Sequence, residues 1–207
     1  MDATERQAHW ENVYTTKAED EVSWFQEKPT NWLEFIHASG VGKNAAIIDV
    51  GGGEARLVDV LLDEGYTDIA ILDLSEKALA VTKARLGHSA AQVRWIVADV
   101  TSWEPERTYD LWHDRAAFHF LTEPADRDAY VARLLKALRP GGHLIIGTFA
   151  LHGPQRCSGL PVVRYNAMSL GQTLGPSFEL VETQNHEHHT PMDRIQRFQF
   201  SWFRRIV

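Results

Sequence analysis

The fold is decided by residues 45–53, AAIIDVGGG, where a short and mostly apolar run leads directly into three glycines. Such a run predicts a strand buried on both sides, as in a parallel sheet covered by helices. Apolar residues then recur at helical spacing from Leu57 to Leu62, and Gly65 follows. The stretch therefore predicts a strand, a tight turn and a helix.

Short apolar runs rich in Val and Ile alternate with segments of helical period in the rest of the chain. This alternation predicts an α/β fold with a parallel sheet. Further strands are predicted at 69–72, 93–97, 109–112 and 143–149, with helix ends marked by Ser75, Gly87, Pro124 and 139–142. After a short helix near 166–173, strands at roughly 178–186 and 195–203 should pair antiparallel, because no helical pattern separates them.

Two helices are predicted ahead of the first strand. Thr4–Gln7 has the pattern of a capping box, and Trp10 and Tyr14 fall on one face of the helix that it would start. A second helix, which contains Trp32, follows Pro29. We expect both helices to lie outside the sheet as a lid.

Composition limits the classes of function. The chain has 207 residues, of which 44% are hydrophobic, so we expect a single domain. A net charge of −7 argues against nucleic acid as a partner. No apolar run is long enough to cross a membrane, the first residues are too polar for a signal peptide, and the lone Cys157 cannot form an internal disulfide, so a cytoplasmic protein is expected. The oligomeric state stays open.

The glycine turn predicts a nucleotide site, because glycine lets a ligand approach backbone N–H groups beside a helix N-terminus. Gly51 and Gly53 match the first two glycines of the dinucleotide fingerprint, but Arg56 stands at the third. A nicotinamide dinucleotide therefore stays open as an alternative ligand. No Gly-Lys-Ser/Thr follows, which argues against a phosphate-binding loop.

Two aspartates strengthen this prediction. Asp73 ends the second strand, where a carboxylate can accept both hydroxyls of a ribose. Asp99 ends the third strand at the same edge of the sheet, where it can accept the exocyclic amine of an adenine. Each aspartate alone is more often a solvated strand end. A glycine turn and two acids in successive turns, however, form a combination that chance rarely produces.

These segments together resemble the motifs of class I S-adenosylmethionine-dependent methyltransferases. In chain order they are IIDVGGGEA (47–55), ILDLS (71–75), WIVADV (95–100), YDLWHDRAAF (109–118) and LRPGGHLII (138–146). The resemblance implies a Rossmann-like α/β fold, with a seven-stranded, mostly parallel sheet whose last strand is antiparallel and with helices on both faces. It also implies S-adenosylmethionine as methyl donor and in-line displacement as the reaction.

The resemblance assigns a place to each donor-binding residue. It puts Asp49, Gly51 and Gly53 beside the methionine part of the donor, and Asp73 on the ribose. The adenine end would be formed by Leu74, Asp99 and Val100, while Ala55 replaces a glycine often found in the family. One methyltransferase domain is implied, with a helical lid at 1–40, a donor-binding core at 45–149 and an acceptor side at 150–207.

The stretch WHDRAAFHFL (112–121) holds the candidates for contact with the methyl acceptor. These are Asp114, Arg115 and His119, with Phe118 and Phe120 as pocket walls. Structural roles are open beside them: a core position for Trp112, packing for His113, and a mutual or neighbouring ion pair for Asp114 and Arg115. A general base is needed only if the nucleophile arrives protonated. Two histidines without a third ligand do not predict a metal site.

The acceptor is the most open part of the prediction. Asp114-Arg115-Ala116 is similar to the thiopurine and related thiol methyltransferases, which implies that Arg115 borders the acceptor pocket and that Trp10, Tyr14 and Trp24 close over the donor. The acceptor would then be a small soft nucleophile such as a thiol. The pattern His-Trp-x-x-x-Tyr at 9–14 is similar instead to small protein-lysine methyltransferases. A nicotinamide-dependent oxidoreductase and a non-catalytic donor sensor are further alternatives.

Two other features are interpreted as structural. His186–His189 is expected at an exposed strand end or loop, because strand alternation puts only two of its histidines on one face. Cys157 is expected to pack in a loop, because methyl transfer from a sulfonium needs no covalent intermediate.

Overall fold

The computed structural model describes residues 1–18, 21–26 and 29–207. Two helices come first, and strands and helices then alternate up to residue 149, except that no helix separates β3 from β4. The elements are α1 (Ala3–Thr16), α2 (Thr30–Ala38), β1 (Ala46–Val50), α3 (Leu57–Asp63), β2 (Asp68–Asp73), α4 (Glu76–Leu86), β3 (Val93–Val97), β4 (Tyr109–Arg115), α5 (Pro124–Ala137) and β5 (Leu138–Phe149). The remainder comprises β6 (Arg156–Cys157), β7 (Leu160–Pro161), α6 (Ala167–Leu174), β8 (Phe178–His189) and β9 (Ile195–Arg205).

Seven strands form one sheet in the order β3-β2-β1-β4-β5-β9-β8. The strands β1 to β5 are mutually parallel, and β9 runs antiparallel to both β5 and β8. The predicted mostly parallel sheet with an antiparallel strand is therefore confirmed. The strand order reverses between β1 and β4, and ligands of open α/β sheets bind beyond the carboxyl ends of the strands at such a point.

Helices cover both faces of the sheet, as predicted. The side chains of β1 alternate between the two layers, since Ile48 belongs to one buried cluster and Ile47 to the other. The first cluster also takes in buried residues of α5 and α6, and the second takes in those of α2 and α3. In α2, Trp32, Phe35 and Ile36 are at most 1% exposed. This helix is thus part of the core, and the expectation that it lies outside the sheet does not fit it.

Three local predictions need correction. The capping box of α1 is formed by Asp2 and Glu5 rather than by Thr4 and Gln7: Asp2 Oδ1 accepts from the Glu5 N–H, and Glu5 Oε2 accepts from the Asp2 N–H. The helix therefore begins earlier, because the carboxylate at Asp2 caps it first. Strand β4 continues to Arg115, and β5 begins at Leu138, which pairs with Tyr109 ahead of a bulge.

Other predicted boundaries hold. Ser75 caps α4 by accepting from the Ala78 N–H, and Gly87 ends that helix with a φ of 55°. Pro124 opens α5, and Asn166 caps α6. In the described part of the chain, no helix combines the length and apolar character that a membrane crossing needs.

Candidate functional site

A cavity opens to solvent at the carboxyl ends of β1, β2, β3 and β4. Its wall is completed by α1, by Trp24, and by residues of β5, the β6 hairpin and β9. The cavity therefore lies at the point where the strand order reverses. It joins segments from almost the whole length of the chain.

The glycine turn after β1 forms the floor of the cavity. A Cβ on Gly51, which has a φ of 70°, would lie 2.7 Å from the Cβ of Ala117. A Cβ on Gly52 would lie 2.6 Å from Oδ2 of Asp49. Both positions exclude a side chain, so the backbone of the turn is exposed to whatever occupies the cavity. Gly53 comes next but does not line the cavity, whereas Ala55 does.

Asp73 lines the cavity at the end of β2, where it was predicted. Its side chain is nearly buried and accepts a hydrogen bond of 2.8 Å from the Ser75 N–H. Burial raises the pKa of Asp73 to about 6, although backbone N–H groups, including that of Gly53, favour the ionised form. Leu74 lies beside it in the cavity wall. The carboxylate is therefore ionised at neutral pH and titrates just below it.

Asp99 also lines the cavity, together with Val100, but its carboxylate is already engaged. Oδ2 accepts from Arg6 Nη2 at 2.7 Å and Oδ1 accepts from the Thr101 hydroxyl at 2.7 Å. Partial burial pulls the pKa of Asp99 upward, but the hydrogen bonds from Arg6 and Thr101 bring it below its ordinary value. Arg6 also pairs with Asp126 of α5 at 3.0 Å.

The Arg6 contacts tie α1 to the edge of the sheet. Sequence reasoning missed this arginine, because the pattern of α1 says which face is apolar but not which carboxylate its cation will reach. A second tie joins Glu11 to the start of α4, since Glu11 Oε1 accepts from the Glu76 N–H at 2.7 Å.

An aromatic lid, defined as Trp10, Tyr14 and Trp24, covers this side of the cavity. The Trp10 and Trp24 rings meet edge to face with centroids 5.8 Å apart, and Trp10 meets Phe120 at 4.9 Å. Tyr14 and Trp24 are 6.2 Å apart. The three predicted residues therefore lie together, and Phe120 continues them as a wall.

Arg115 lines the cavity from the end of β4. Its Nη1 donates to Gln26 Oε1 at 2.7 Å, and its Nη2 donates to the carbonyl oxygen of Trp24. Burial lowers the pKa of Arg115 to about 10, so the side chain remains cationic at neutral pH. Among the described residues no carboxylate forms an ion pair with it, and the interpretation of a salt bridge to Asp114 was wrong.

Asp114 and His119, the other two acceptor candidates, are buried in the interior and do not line the cavity. Asp114 accepts from the Tyr130 hydroxyl at 2.7 Å and from the backbone N–H groups of Ala117 and Phe118. Burial raises the pKa of Asp114 to about 6. Asp114 precedes Ala117 and Phe118 by three and four positions, which is the spacing of a capping side chain. This spacing is the sequence signal that indicates its structural role.

His119 is held by packing. Its Nδ1 accepts from the Phe149 N–H at 3.3 Å, and burial lowers its pKa to about 3. A neutral ring whose basic nitrogen already accepts a hydrogen bond is poorly suited to take a proton from an acceptor. Phe118, predicted as a wall, is fully buried against Tyr130 instead, with ring centroids 4.7 Å apart.

Asp49 and His113 form a buried pair behind the glycine turn. The Nδ1 of His113 lies 2.6 Å from Oδ1 of Asp49, and both side chains are at most 3% exposed. Trp32 meets the His113 ring edge to face at 4.7 Å. Neither Asp49 nor His113 lines the cavity, so Asp49 supports the turn from below rather than bordering a ligand directly.

The remaining wall was not predicted from the sequence. It consists of Phe149, Cys157, Gln196 and Phe198. Cys157 is buried, which raises the pKa of its thiol. The Oε1 atom of Gln196 is buried and has no hydrogen-bond partner within the described part of the chain. These residues come from the β6 hairpin and from the ends of β5 and β9, so no local pattern connects them.

The histidine cluster lies on β8 rather than in a loop. His188 is 5% exposed, and its Nε2 lies 2.8 Å from the carbonyl oxygen of Ser23. His186 stacks on Phe200 with centroids 5.5 Å apart. The expectation of an exposed strand end was therefore wrong for His188. Throughout the described ranges, no three His, Cys, Asp or Glu side chains converge as metal ligands would.

Comparison with known proteins gives a family for the central part of the chain. Residues 47–142 match the family model of a methyltransferase domain. Nodulation protein S from Rhizobium tropici is 30% identical over 80 residues, which are 39% of this chain and 33% of that protein. EEF1A lysine methyltransferase 2 from Danio rerio is 28% identical over 131 residues, which are 59% of this chain and 56% of that protein. The chain thus spans about a third to just over half of these relatives.

The fold is similar to that of solved enzymes. One is 1,6-didemethyltoxoflavin-N1-methyltransferase from Burkholderia thailandensis, solved with 1,6-didemethyltoxoflavin and S-adenosylhomocysteine. It is 21% identical to this chain, with a TM-score of 0.71 over 100% of this chain and 92% of that one. This likeness supports the fold and the sheet order described above.

Proposed function

We propose that this chain, whose residues 47–142 match a methyltransferase domain, is a class I S-adenosylmethionine-dependent methyltransferase that transfers a methyl group to a small soft nucleophile by in-line displacement. The observation that carries the proposal is the cavity, which brings the glycine turn, Asp73 and Asp99 to one place at the reversal of the strand order. This is where open α/β sheets bind their ligands.

The residues present fit S-adenosylmethionine. The bare backbone of Gly51 and Gly52 leaves room for the methionine part, and the ionised Asp73 can accept the ribose hydroxyls. Leu74 and Val100 offer apolar contact to an adenine ring. Asp99 would receive the adenine amine beside Arg6, and Asp49 would act through the turn that it supports. The aromatic lid would close over the bound donor.

S-adenosylmethionine supplies, when bound, a methyl group already activated by a sulfonium. The chain then has to align the nucleophile and exclude water, which are positioning tasks. The aromatic lid and Phe120 suit the exclusion of water, because they present large apolar surfaces over the cavity. Arg115 lies beside the lid, since it donates to the carbonyl oxygen of Trp24, and would border the acceptor.

The side chains that line the cavity support a thiol as acceptor. No histidine lines the cavity in the part of the chain that the structure describes, and Asp114 and His119 lie in the interior. An ammonium or alcohol acceptor would need a base to remove its proton. A thiol is partly ionised near neutral pH and needs less help, and a cation such as Arg115 favours the thiolate.

Isothermal titration tests the proposal at its first step. S-adenosylmethionine and S-adenosylhomocysteine should both bind the purified chain with micromolar affinity, while NADH should not compete. A panel of small thiols and matched amines should then be tested as acceptors with S-adenosylmethionine. S-adenosylhomocysteine should form faster with the thiols than with the amines. Failure of both S-adenosyl compounds to bind would overturn the proposal, and competition by NADH would favour an oxidoreductase. Binding without turnover across the panel would favour a sensor.

A protein-lysine acceptor is the second candidate. The similarity to EEF1A lysine methyltransferase 2 favours it, and so does the His-Trp-x-x-x-Tyr segment that contributes Trp10 and Tyr14 to the lid. Incubation with radiolabelled S-adenosylmethionine and cell lysate would then label a protein band. A labelled low-molecular-weight product without a band would count against it.

A further inference from the structure

Two turns stand side by side beyond the ends of β5 and β9. The first, at 150–153, is closed by a hydrogen bond of 2.7 Å from the N–H of its last residue to the carbonyl oxygen of its first. The second, at 190–194, is closed by one of 2.8 Å from the N–H of its first residue to the carbonyl oxygen of its last. The turns lie together because the Ala150 N–H donates to the carbonyl oxygen of Arg197 at 2.9 Å.

These turns border the cavity. Phe149, which directly precedes the first turn, lines the cavity, and so do Gln196 and Phe198 after the second turn. The chain therefore leaves the cavity wall, turns outward and returns to the wall at two neighbouring places.

Both turns expose apolar side chains. Leu151 is 45% exposed in the first turn, and Met192 is 53% exposed in the second. Ile195, next to the second turn, is 49% exposed. Single exposed apolar residues are normal on a protein surface, but three on two adjacent turns at the edge of a cavity indicate an interaction surface.

The rim, defined as residues 150–156 and 189–197, is positively charged in a chain whose net charge is −7. It contains one acidic residue and three arginines, which are Asp193, Arg156, Arg194 and Arg197. Arg197 forms an exposed ion pair with a carboxylate of β8. Among the described residues, Arg156 and Arg194 form no ion pair, and both are exposed. The rim therefore combines apolar tips with unpaired positive charge, which suits an anionic partner.

We propose that the rim docks the protein on an anionic lipid bilayer. Leu151 and Met192 enter the boundary between headgroups and acyl chains, while the arginines lie against the phosphates. The aliphatic stems of the arginines add apolar contact with the lipid. A fluid bilayer closes around separate protruding tips, whereas a folded partner would need a matching pocket for each of them. This surface goes beyond the proposed function, which concerns the cavity itself.

Vesicle binding tests the proposal with the protein alone. Sucrose-loaded vesicles of phosphatidylcholine and phosphatidylglycerol, mixed at about two to one, are sedimented with the chain in about 0.1 M NaCl at pH 7.5. The chain should partition about tenfold more strongly onto these vesicles than onto pure phosphatidylcholine. L151S/M192S should lower the partitioning about tenfold, and R156Q/R194Q should remove most of the preference for anionic lipid. Neither donor nor acceptor is present, so the result is independent of the proposed function.

V81S/L180S is the matched control, because Val81 and Leu180 are 38% and 42% exposed and lie outside the rim. It should leave the partitioning unchanged. L151S/M192S should melt at the temperature of the unaltered chain, since both side chains are exposed.

Three outcomes would overturn the proposal. The first is equal partitioning onto both kinds of vesicle, or none onto either. The second is partitioning that neither L151S/M192S nor R156Q/R194Q changes, because the contact would then lie elsewhere. The third is binding to immobilised polyglutamate without binding to vesicles, which would assign the rim to an acidic protein instead.

Discussion

The two ends of the cavity differ in charge and in the kind of surface they present. Beside β1, β2 and β3 the wall contains three carboxylates, Glu54, Asp73 and Asp99, and the last is engaged by Arg6. Beside β4, β5 and β9 the wall is largely aromatic, and Arg115 is its cation. An acidic end suits a cationic sulfonium donor, whereas a cationic end suits an anionic acceptor. The difference teaches that one continuous cavity can present surfaces of opposite charge at its two ends.

The largest effect is expected from a residue that belongs to neither end. Asp114 adjoins Arg115 in the chain but is fully buried, so D114A removes the acceptor for the Tyr130 hydroxyl and for two backbone N–H groups. We expect a loss of about 3 kcal/mol in the free energy of unfolding, measured in urea at pH 7.5.

A matched control is D128A, which removes an exposed carboxylate of α5 and should change stability by less than about 0.5 kcal/mol. The folded fraction of D114A should still bind S-adenosylhomocysteine within threefold of the unaltered chain. If D114A kept full stability but lost turnover, Asp114 would instead belong to the cationic end of the cavity.

D73A should have the next largest effect, and that effect should be confined to the acidic end. A carboxylate that accepts two ribose hydroxyls contributes about 1.5 kcal/mol per bond, so the affinity for S-adenosylhomocysteine should fall about 100-fold by titration calorimetry. D63A, at an exposed position of α3, is the control. Unchanged affinity in D73A would remove the ribose assignment and with it the contrast between the two ends.

Lowering the pH should weaken the acidic end in a graded way. Asp73 has a pKa of about 6, raised by burial, so only about a tenth of it is ionised at pH 5. Since the ionised form accepts the ribose hydroxyls, affinity for S-adenosylhomocysteine should fall about tenfold between pH 7.5 and pH 5. D73N should abolish this pH dependence. A dependence that survives in D73N would place the titrating group elsewhere.

Protonation of Asp114 does not explain a loss of affinity at low pH, because it does not favour unfolding. Its folded pKa of about 6 lies above its ordinary value, so the folded state binds the proton more tightly than the unfolded state does. The cost of burying its charge is present above pH 6 and disappears as the pH falls toward 4. Protonation of this group at pH 5 therefore favours the folded chain.

The smallest effect is expected for R6M, which breaks the tie between α1 and the acidic end. The chain should lose contacts to Asp99 and Asp126, amide hydrogens of residues 3–16 should exchange faster, and donor affinity should fall about threefold. K136M, which breaks an exposed pair with Glu104, should change neither. A tighter affinity in R6M would mean that Arg6 competes with the donor for Asp99 instead of holding the lid.

Sequence reasoning reached the acidic end because that end is built from the turns that follow three consecutive strands. Each strand end there carries its own signal, so Gly51, Asp73 and Asp99 could be placed on one edge before the structure was known. The cationic end carries no such local sequence signal. Phe149, Cys157 and Gln196 meet only because β9 returns beside β5, and a return of this kind depends on long-range pairing.

The end of β4 shows, within a single segment, what the sequence alone does not predict. Ala116 adopts a φ of 64°, which turns the chain sharply after Arg115. The side chain of Asp114 consequently points back to the N–H groups of the turn, while Arg115 reaches the cavity. Two adjacent charged residues thus have different roles, and only the geometry of the turn separates them.

The pair of Asp49 and His113 has a consequence for how the sheet assembles. These residues are 64 positions apart in the chain, yet they stand opposite each other in the register of β1 and β4. A slip of one residue between these strands would turn their side chains to opposite faces and bury both polar groups without partners. The pair therefore favours the observed register of the two central strands, on which the position of the cavity above them depends.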